Sequence, residues 1–380
     1  MPRIRELGIY RGDLPTGGHN AITDVEGVAV GHCTVVEGEG AWTGQGPFRT
    51  GVTIILPHRG NLYEDKVSAA VHRINGFGKY AGFEQIRETG SIETPIALTS
   101  TLNMARVADA LITLALEASP YIGVGFEASG RQGYASVNPV VGECTDGFLS
   151  DVHARRIGEA DVRRAVADAD TGPVAEGSLG GGTGMSCFEW KGGIGTASRV
   201  VPRDKGGFTV GVLVQSNFGR APELVISGVP VGKHILPPNH RDQSDYGSIM
   251  IVIATDAPLE ARQLERLCKR ASFGLARTGS TCHTGSGDVA LAFSTGYRIP
   301  ERPRSLLIAR ETLANEHWVL SAMGQAVIEA VEEAVYNSMF MSETMVGRDG
   351  NTRYGLPVDD VVELIRRYRP RGAEAGSAPS

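Results

Sequence analysis

Gly232-Lys-His-Ile-Leu-Pro-Pro-Asn-His-Arg-Asp-Gln-Ser-Asp-Tyr-Gly247 runs straight into Ser248-Ile-Met-Ile-Val-Ile-Ala254. The first part is polar, carries two prolines and follows neither the helical nor the strand period, so it reads as an exposed loop. The second is a short apolar run rich in β-branched residues, which reads as a buried strand. A serine therefore stands where an irregular loop meets a core strand, and the rest of the chain has to supply the layers that bury that strand.

Working outward, Val28–Val36, Val52–Leu56, Gly192–Val201, Phe208–Gln215 and Val289–Ser294 are strand-like runs bounded by glycine or proline. Met104–Glu117 has apolar residues at helical spacing, and a shorter helix is expected over Ala160–Ala169. Asp256 is positioned to N-cap a helix reaching about Arg277, with Pro258 in its first turn. Further helices are expected from about Asn315 to Tyr336 and over Asp359–Arg369, ahead of a tail, residues 370–380, whose composition reads as disordered. The strands cluster instead of alternating strictly with helices, which favours layered α+β over a doubly wound sheet. No repeat or linker divides the chain, so residues 1–369 read as one domain.

Composition narrows the function. With 37 basic and 43 acidic residues the formal charge is −6, which argues against a nucleic-acid or anionic-membrane surface as main partner. No run approaches the ~18–20 apolar residues of a membrane span, and no apolar segment follows the charged N-terminus, so a cytoplasmic protein is expected. The five cysteines are scattered without a C-x-x-C pair and the nine histidines without a close pair, so neither a disulfide framework, a metal nor another cofactor is implied. Glycine is in excess, 50 of 380 residues, and the excess belongs in turns and in sites lined by backbone.

Candidate sites follow. Ser248 is a possible nucleophile or self-processing point, although Gly-Ser occurs six times and only the position after the loop singles this one out. Asn217 closes the strand Phe208–Gln215, as a turn residue or as an amide donor to an oxyanion. Ser286-Gly-Asp288 can bring a hydroxyl and a carboxylate together at a strand mouth, and Glu143 and Asp146 follow a short apolar run. The run Gly180-Gly-Gly182 lacks the ending of a P-loop; it reads as a flexible turn, a phosphate cradle, or a place where backbone lines a cleft.

Together these stretches resemble the L-aminopeptidase/D-esterase (DmpA-type) and β-peptidyl aminopeptidase family of self-processing N-terminal-nucleophile hydrolases. The likeness is carried by Asn20-Ala-Ile-Thr-Asp-Val-Glu-Gly-Val28, Arg49-Thr-Gly-Val-Thr53, Gly180-Gly-Gly-Thr-Gly-Met185, Lys191-Gly-Gly-Ile-Gly-Thr196, Val210-Gly-Val-Leu-Val-Gln215 and Ile251-Val-Ile-Ala-Thr-Asp-Ala-Pro-Leu259, in order along nearly the whole chain. It implies an αββα sandwich without cofactor or metal, cut between Gly247 and Ser248 into residues 1–247 and 248–380, and assembled as a homotetramer of cleaved protomers. Ser248 would be the nucleophile, Asn217 the oxyanion donor, Ser286 and Asp288 its support, and Glu143 the acid that receives the substrate's amino group. Gly180, Gly181 and Gly182 would line the cleft. Substrates would be short peptides, amino-acid amides or esters. Two residues after Glu143, where relatives carry a tyrosine, this chain has Thr145, and Tyr134 is the candidate substitute. A related acyltransferase, of the ornithine acetyltransferase kind, is the alternative, but those use threonine where this chain has Ser248.

The chemistry is coherent. Serine is a weak nucleophile until a base takes its proton. Cleavage ahead of Ser248 would free an α-amine of pKa ~7.7–8.0, a suitable general base near neutrality. Nucleophile and base would then belong to one residue.

Overall fold

The computed structural model describes residues 1–124, 136–241 and 246–368. The tail at 370–380, expected to be disordered, lies outside the described residues, as does part of the polar loop.

Two sheets face each other. The smaller has the order β1 (Ala29–Glu37), β2 (Phe48–Leu56), β5 (Ile96–Ser100), β6 (Val140–Cys144). The larger runs β4 (Ser91–Ile92), β3 (Asp65–Gly76), β12 (Gly285–Pro300), β11 (Tyr246–Thr255), β10 (Thr209–Asn217), β9 (Ile194–Val200). β11 is antiparallel to β10 and parallel to β12. Two short hairpins, β7 (Ser186–Cys187) with β8 (Trp190–Lys191) and β13 (Met345–Val346) with β14 (Thr352–Arg353), stand beside the sheets. The described helices are α1 (Phe83–Thr89), α2 (Met104–Ala118), α3 (Glu159–Ala167), α4 (Ala261–Arg277), α5 (Glu316–Phe340) and α6 (Val358–Tyr368).

Three apolar cores make four layers. Val107 and Leu111 of α2 and Val162 and Ala165 of α3 pack on Cys33, Val52 and Ile54 of the smaller sheet. Ile55, Leu98 and Val140 meet Leu213, Met250, Val252 and Leu291 between the sheets. Leu264, Leu267 and Leu275 of α4 and Val327 and Val331 of α5 cover Val212, Ile251, Ile253 and Ala290. The result is an αββα sandwich.

β11 shows why its sequence does not alternate. Ile249, Ile251 and Ile253 point to the helix layer, while Met250, Val252 and Ala254 point to the opposite sheet. Both faces are covered, so both must be apolar. Pairing on both edges also extends the ladder beyond the apolar run: Gly247 and Ser248 lie inside β11, and Ser286 to Asp288 inside β12, instead of in flanking turns.

One boundary differs from expectation. The helix after β11 begins at Ala261 with Glu260 as N-cap, not at Asp256. Pro258 disfavours helical geometry for the residue before it. The Asp256 carboxylate accepts the Thr209 N–H at 2.8 Å instead, tying the end of β11 to β10.

Candidate active site

The register of the larger sheet assembles the site. Ser248 on β11 sits opposite Asn217 on β10 and opposite Gly287 on β12, with Gly247 opposite Ser286. Ser248 is buried, and its Oγ donates to the Gly247 carbonyl oxygen at 2.5 Å. Gly287 has to be glycine here: a Cβ would stand 3.0 Å from Ser248 Oγ, 2.9 Å from Tyr80 Oη and 2.7 Å from the Phe77 carbonyl oxygen.

Asn217 is oriented by one bond. Its Oδ1 accepts the Ser186 N–H at 2.8 Å, and its Nδ2 has no acceptor among the described residues. An amide held by its oxygen keeps its N–H groups available as donors. On the other flank, Ser286 Oγ donates to Asp288 Oδ1 at 2.6 Å, while Asp288 Oδ2 is buried without a partner. Burial raises the Asp288 pKa, against the lowering effect of the Ser286 hydroxyl.

Glu143 comes from the smaller sheet, where β6 packs against β11 across the sheet interface. It is buried, and its Oε1 accepts the Lys79 N–H at 2.8 Å. Burial again dominates and raises its pKa, opposed by the Lys79 N–H and the Thr101 hydroxyl.

Tyr80, which no sequence motif signals, lies among these groups. Its ring stacks on Phe83 at 4.9 Å between centroids, and its hydroxyl is buried with no hydrogen-bond partner. Burial, then the nearby Cys144, Glu143 and Asp288, push its pKa up. The turn after β3 is held there by Asn75, whose Nδ2 donates to the carbonyls of His283, Thr284 and Ser286. A sequence search for charged or nucleophilic clusters passes over a tyrosine next to Lys79, because only folding brings it beside Ser248.

The other sequence candidates fall elsewhere. Asp146 is fully buried against Gly184, and neither of its carboxylate oxygens makes a well-formed hydrogen bond. Burial pushes its pKa up to about 7, although the Thr50 and Ser100 hydroxyls favour the ionised form. The turn Gly180–Gly182 is buried between the sheets. A Cβ would meet Thr53 Oγ1 at 2.4 Å from Gly180, Gln215 Oε1 at 2.1 Å from Gly181, and Ile194 N at 2.4 Å from Gly182. These glycines allow close packing and do not border the cavity next to Asn217. That cavity, about 180 Å³, has Thr145, Phe148, Ser186, Asn217, Gly219 and Arg353 among its walls. Thr145 thus faces the site, and Tyr134 lies outside the described residues.

The arrangement is suited to acyl transfer: a buried hydroxyl, an oriented amide donor on one side, and carboxylates and a phenol on the other. Among the described residues no helix is long and apolar enough to cross a membrane.

Known proteins match this chain in sequence and fold. The model of peptidase family S58 matches residues 20–353. The β-peptidyl aminopeptidase BapA of Sphingosinicella xenopeptidilytica is 41% identical over 97% of this chain and 92% of its own length. Among solved structures, the β-aminopeptidase of a Burkholderia species is 42% identical, with a TM-score of 0.86 over 97% of this chain and 100% of that one. The L-aminopeptidase D-Ala-esterase/amidase of Ochrobactrum anthropi, described as a prototype of serine aminopeptidases and a variant of the Ntn hydrolase fold, is 39% identical, with a TM-score of 0.87 over 97% of this chain and 99% of that one. These relatives do not favour the acyltransferase alternative. With a family model spanning most of the chain and a relative at 41% identity along nearly all of it, the chain belongs to peptidase family S58 and is a hydrolase of the aminopeptidase class.

Proposed function

We propose that the chain, one αββα unit, cuts itself between Gly247 and Ser248 and then acts as a serine aminopeptidase on short peptides, amino-acid amides or esters. The observation that carries this is the placement of Ser248 Oγ on the Gly247 carbonyl, with Asn217 directly across the ladder. In processing, Oγ adds to the Gly247 carbonyl carbon and the C–N bond breaks, leaving an ester and a free α-amine on Ser248. Water then hydrolyses the ester, giving the carboxylate of Gly247 and the hydroxyl of Ser248.

In the mature enzyme the α-amine takes the proton from Oγ as the oxygen attacks the substrate carbonyl. Asn217 Nδ2 donates to the developing oxyanion. The leaving amine departs with the proton, and water releases the acyl group by the same route in reverse. Asp288, oriented by Ser286, favours the protonated amine that forms transiently. Glu143 receives the substrate's ammonium group, which distinguishes a chain end from an internal amide. Tyr80 brings a donor hydroxyl to Ser248 from the side of Gly287.

Support for a cytoplasmic setting comes from the five unpaired cysteines, and we propose a homotetramer of cleaved protomers, to be measured by light scattering. Mass spectrometry of the purified protein tests the mechanism: two chains, 1–247 and 248–380, are expected, and a single chain from Ser248→Ala. An intact wild-type chain with full activity on aminoacyl p-nitroanilides would overturn it.

A further inference from the structure

The cavity beside Asn217 has a cation, Arg353, and a carboxylate, Glu189, in its wall. Arg353, at the end of β14, directs its guanidinium into the cavity and stacks it on the Phe148 ring, 3.8 Å from the centroid. Its Nε donates to Ser186 Oγ at 2.8 Å, and neither Nη donates to a described residue. Among the described residues it has no ion pair. Glu189 shares the cavity, but its two oxygens are engaged by the Ala221 N–H at 3.1 Å and by His240 Nδ1 at 2.8 Å. Burial lowers the Arg353 pKa, against the raising effect of the Glu189 carboxylate, so the group gains from a further anion that reaches its Nη groups.

Ser186 links this cation to Asn217. Its N–H holds the Asn217 amide and its Oγ holds the Arg353 guanidinium, so the oxyanion donor and the cation are joined by one residue. Beyond Arg353 lies a second cavity of about 430 Å³, which shares Phe148, Glu189 and Arg353 as walls and has room for groups other than the carboxylate.

We propose that Arg353 receives a carboxylate of the leaving group, so that substrates whose leaving residue carries a free carboxylate are handled best. This rests on the aminopeptidase reading above. The planar guanidinium, fixed by Phe148 and Ser186, offers its two Nη groups to the two carboxylate oxygens, the geometry that suits arginine better than lysine. Amides and esters without the carboxylate remain substrates, since the scissile carbonyl is held by other groups.

The test compares kcat/KM on three substrates with the same first residue: a dipeptide acid, its C-terminal amide and the p-nitroanilide. Wild type, Arg353→Met and Arg353→Lys are each confirmed as fully processed by chain length. Wild type should prefer the acid over the amide by roughly 10- to 100-fold, the range of a charge-assisted hydrogen-bonded pair. Arg353→Met should abolish that preference and Arg353→Lys should restore part of it. A general loss of folding lowers acid and amide alike and leaves the ratio unchanged. An active enzyme whose acid-to-amide ratio is the same in wild type and Arg353→Met overturns this inference alone. A processed wild type that hydrolyses none of the three overturns the aminopeptidase reading and this inference with it.

Discussion

Replacing Glu143 with glutamine removes a charge and little else. The side chain keeps its shape, and its amide oxygen still accepts the Lys79 N–H that Oε1 accepts at 2.8 Å. Glu143 is only 3% exposed, so a substrate ammonium meeting it is paired largely out of water. Removing one partner of a buried ion pair costs on the order of 3–5 kcal/mol. The glutamine oxygen still accepts one hydrogen bond from the ammonium, so the lower end applies, about two to three decades in kcat/KM. The pH profile carries a second signature. Burial raises the Glu143 pKa, so the free enzyme loses its anionic anchor at a higher pH than an ordinary glutamate would. For free-amine substrates kcat/KM should rise with pH through that raised pKa and again through the Ser248 α-amine, and Glu143→Gln should lose the first rise and keep the second. The assay is kcat/KM on an aminoacyl p-nitroanilide and its N-acetylated form between pH 4 and 8. The wild type should discriminate strongly against the acetylated form, and the variant weakly. Self-cleavage involves no free amine and should proceed in both. A processed variant with wild-type kcat/KM and the same lower-pH rise as the wild type would refute the assignment.

Tyr80→Phe removes a buried hydroxyl that bonds to nothing, so thermal unfolding should show equal or slightly greater stability, by about 1 kcal/mol or less. If the phenol serves Ser248, kcat should fall at least about tenfold; full activity would reduce Tyr80 to packing. Asp146 has its pKa raised from 3.8 to about 7 in the folded protein, so the native state holds a proton that the unfolded chain releases. Stability should therefore fall as pH rises from about 4 to 7, by on the order of 4 kcal/mol at most. Urea midpoints of Asp146→Asn should lack that decline, and a wild type equally stable at pH 5 and pH 8 would show that Asp146 ionises freely.

What the sequence made legible was local. The run Ile249–Ala254 announced a buried strand because six apolar residues in succession leave no face for water, and Met104–Glu117 announced a helix through its spacing. Ser248, Asn217 and Glu143 were nameable because their neighbours form ordered motifs that resemble a family. β3 was not: Val67-Ser-Ala-Ala-Val71 is mostly small residues of weak strand preference, and it is a strand because β12 pairs along it and the cores cover it. The start of α4 was misplaced because Asp256 finds its hydrogen bond on β10, a partner distant in sequence. Tyr80 and Arg353 carried no local signal at all. Each stands out only through what tertiary structure sets beside it, Gly287 and Ser248 for the one, Ser186 and Asn217 for the other. Side-chain type fixes which face of an element is buried, but the sheet register and the packing of the layers decide which chemistries meet, because those depend on pairings between residues far apart in the chain.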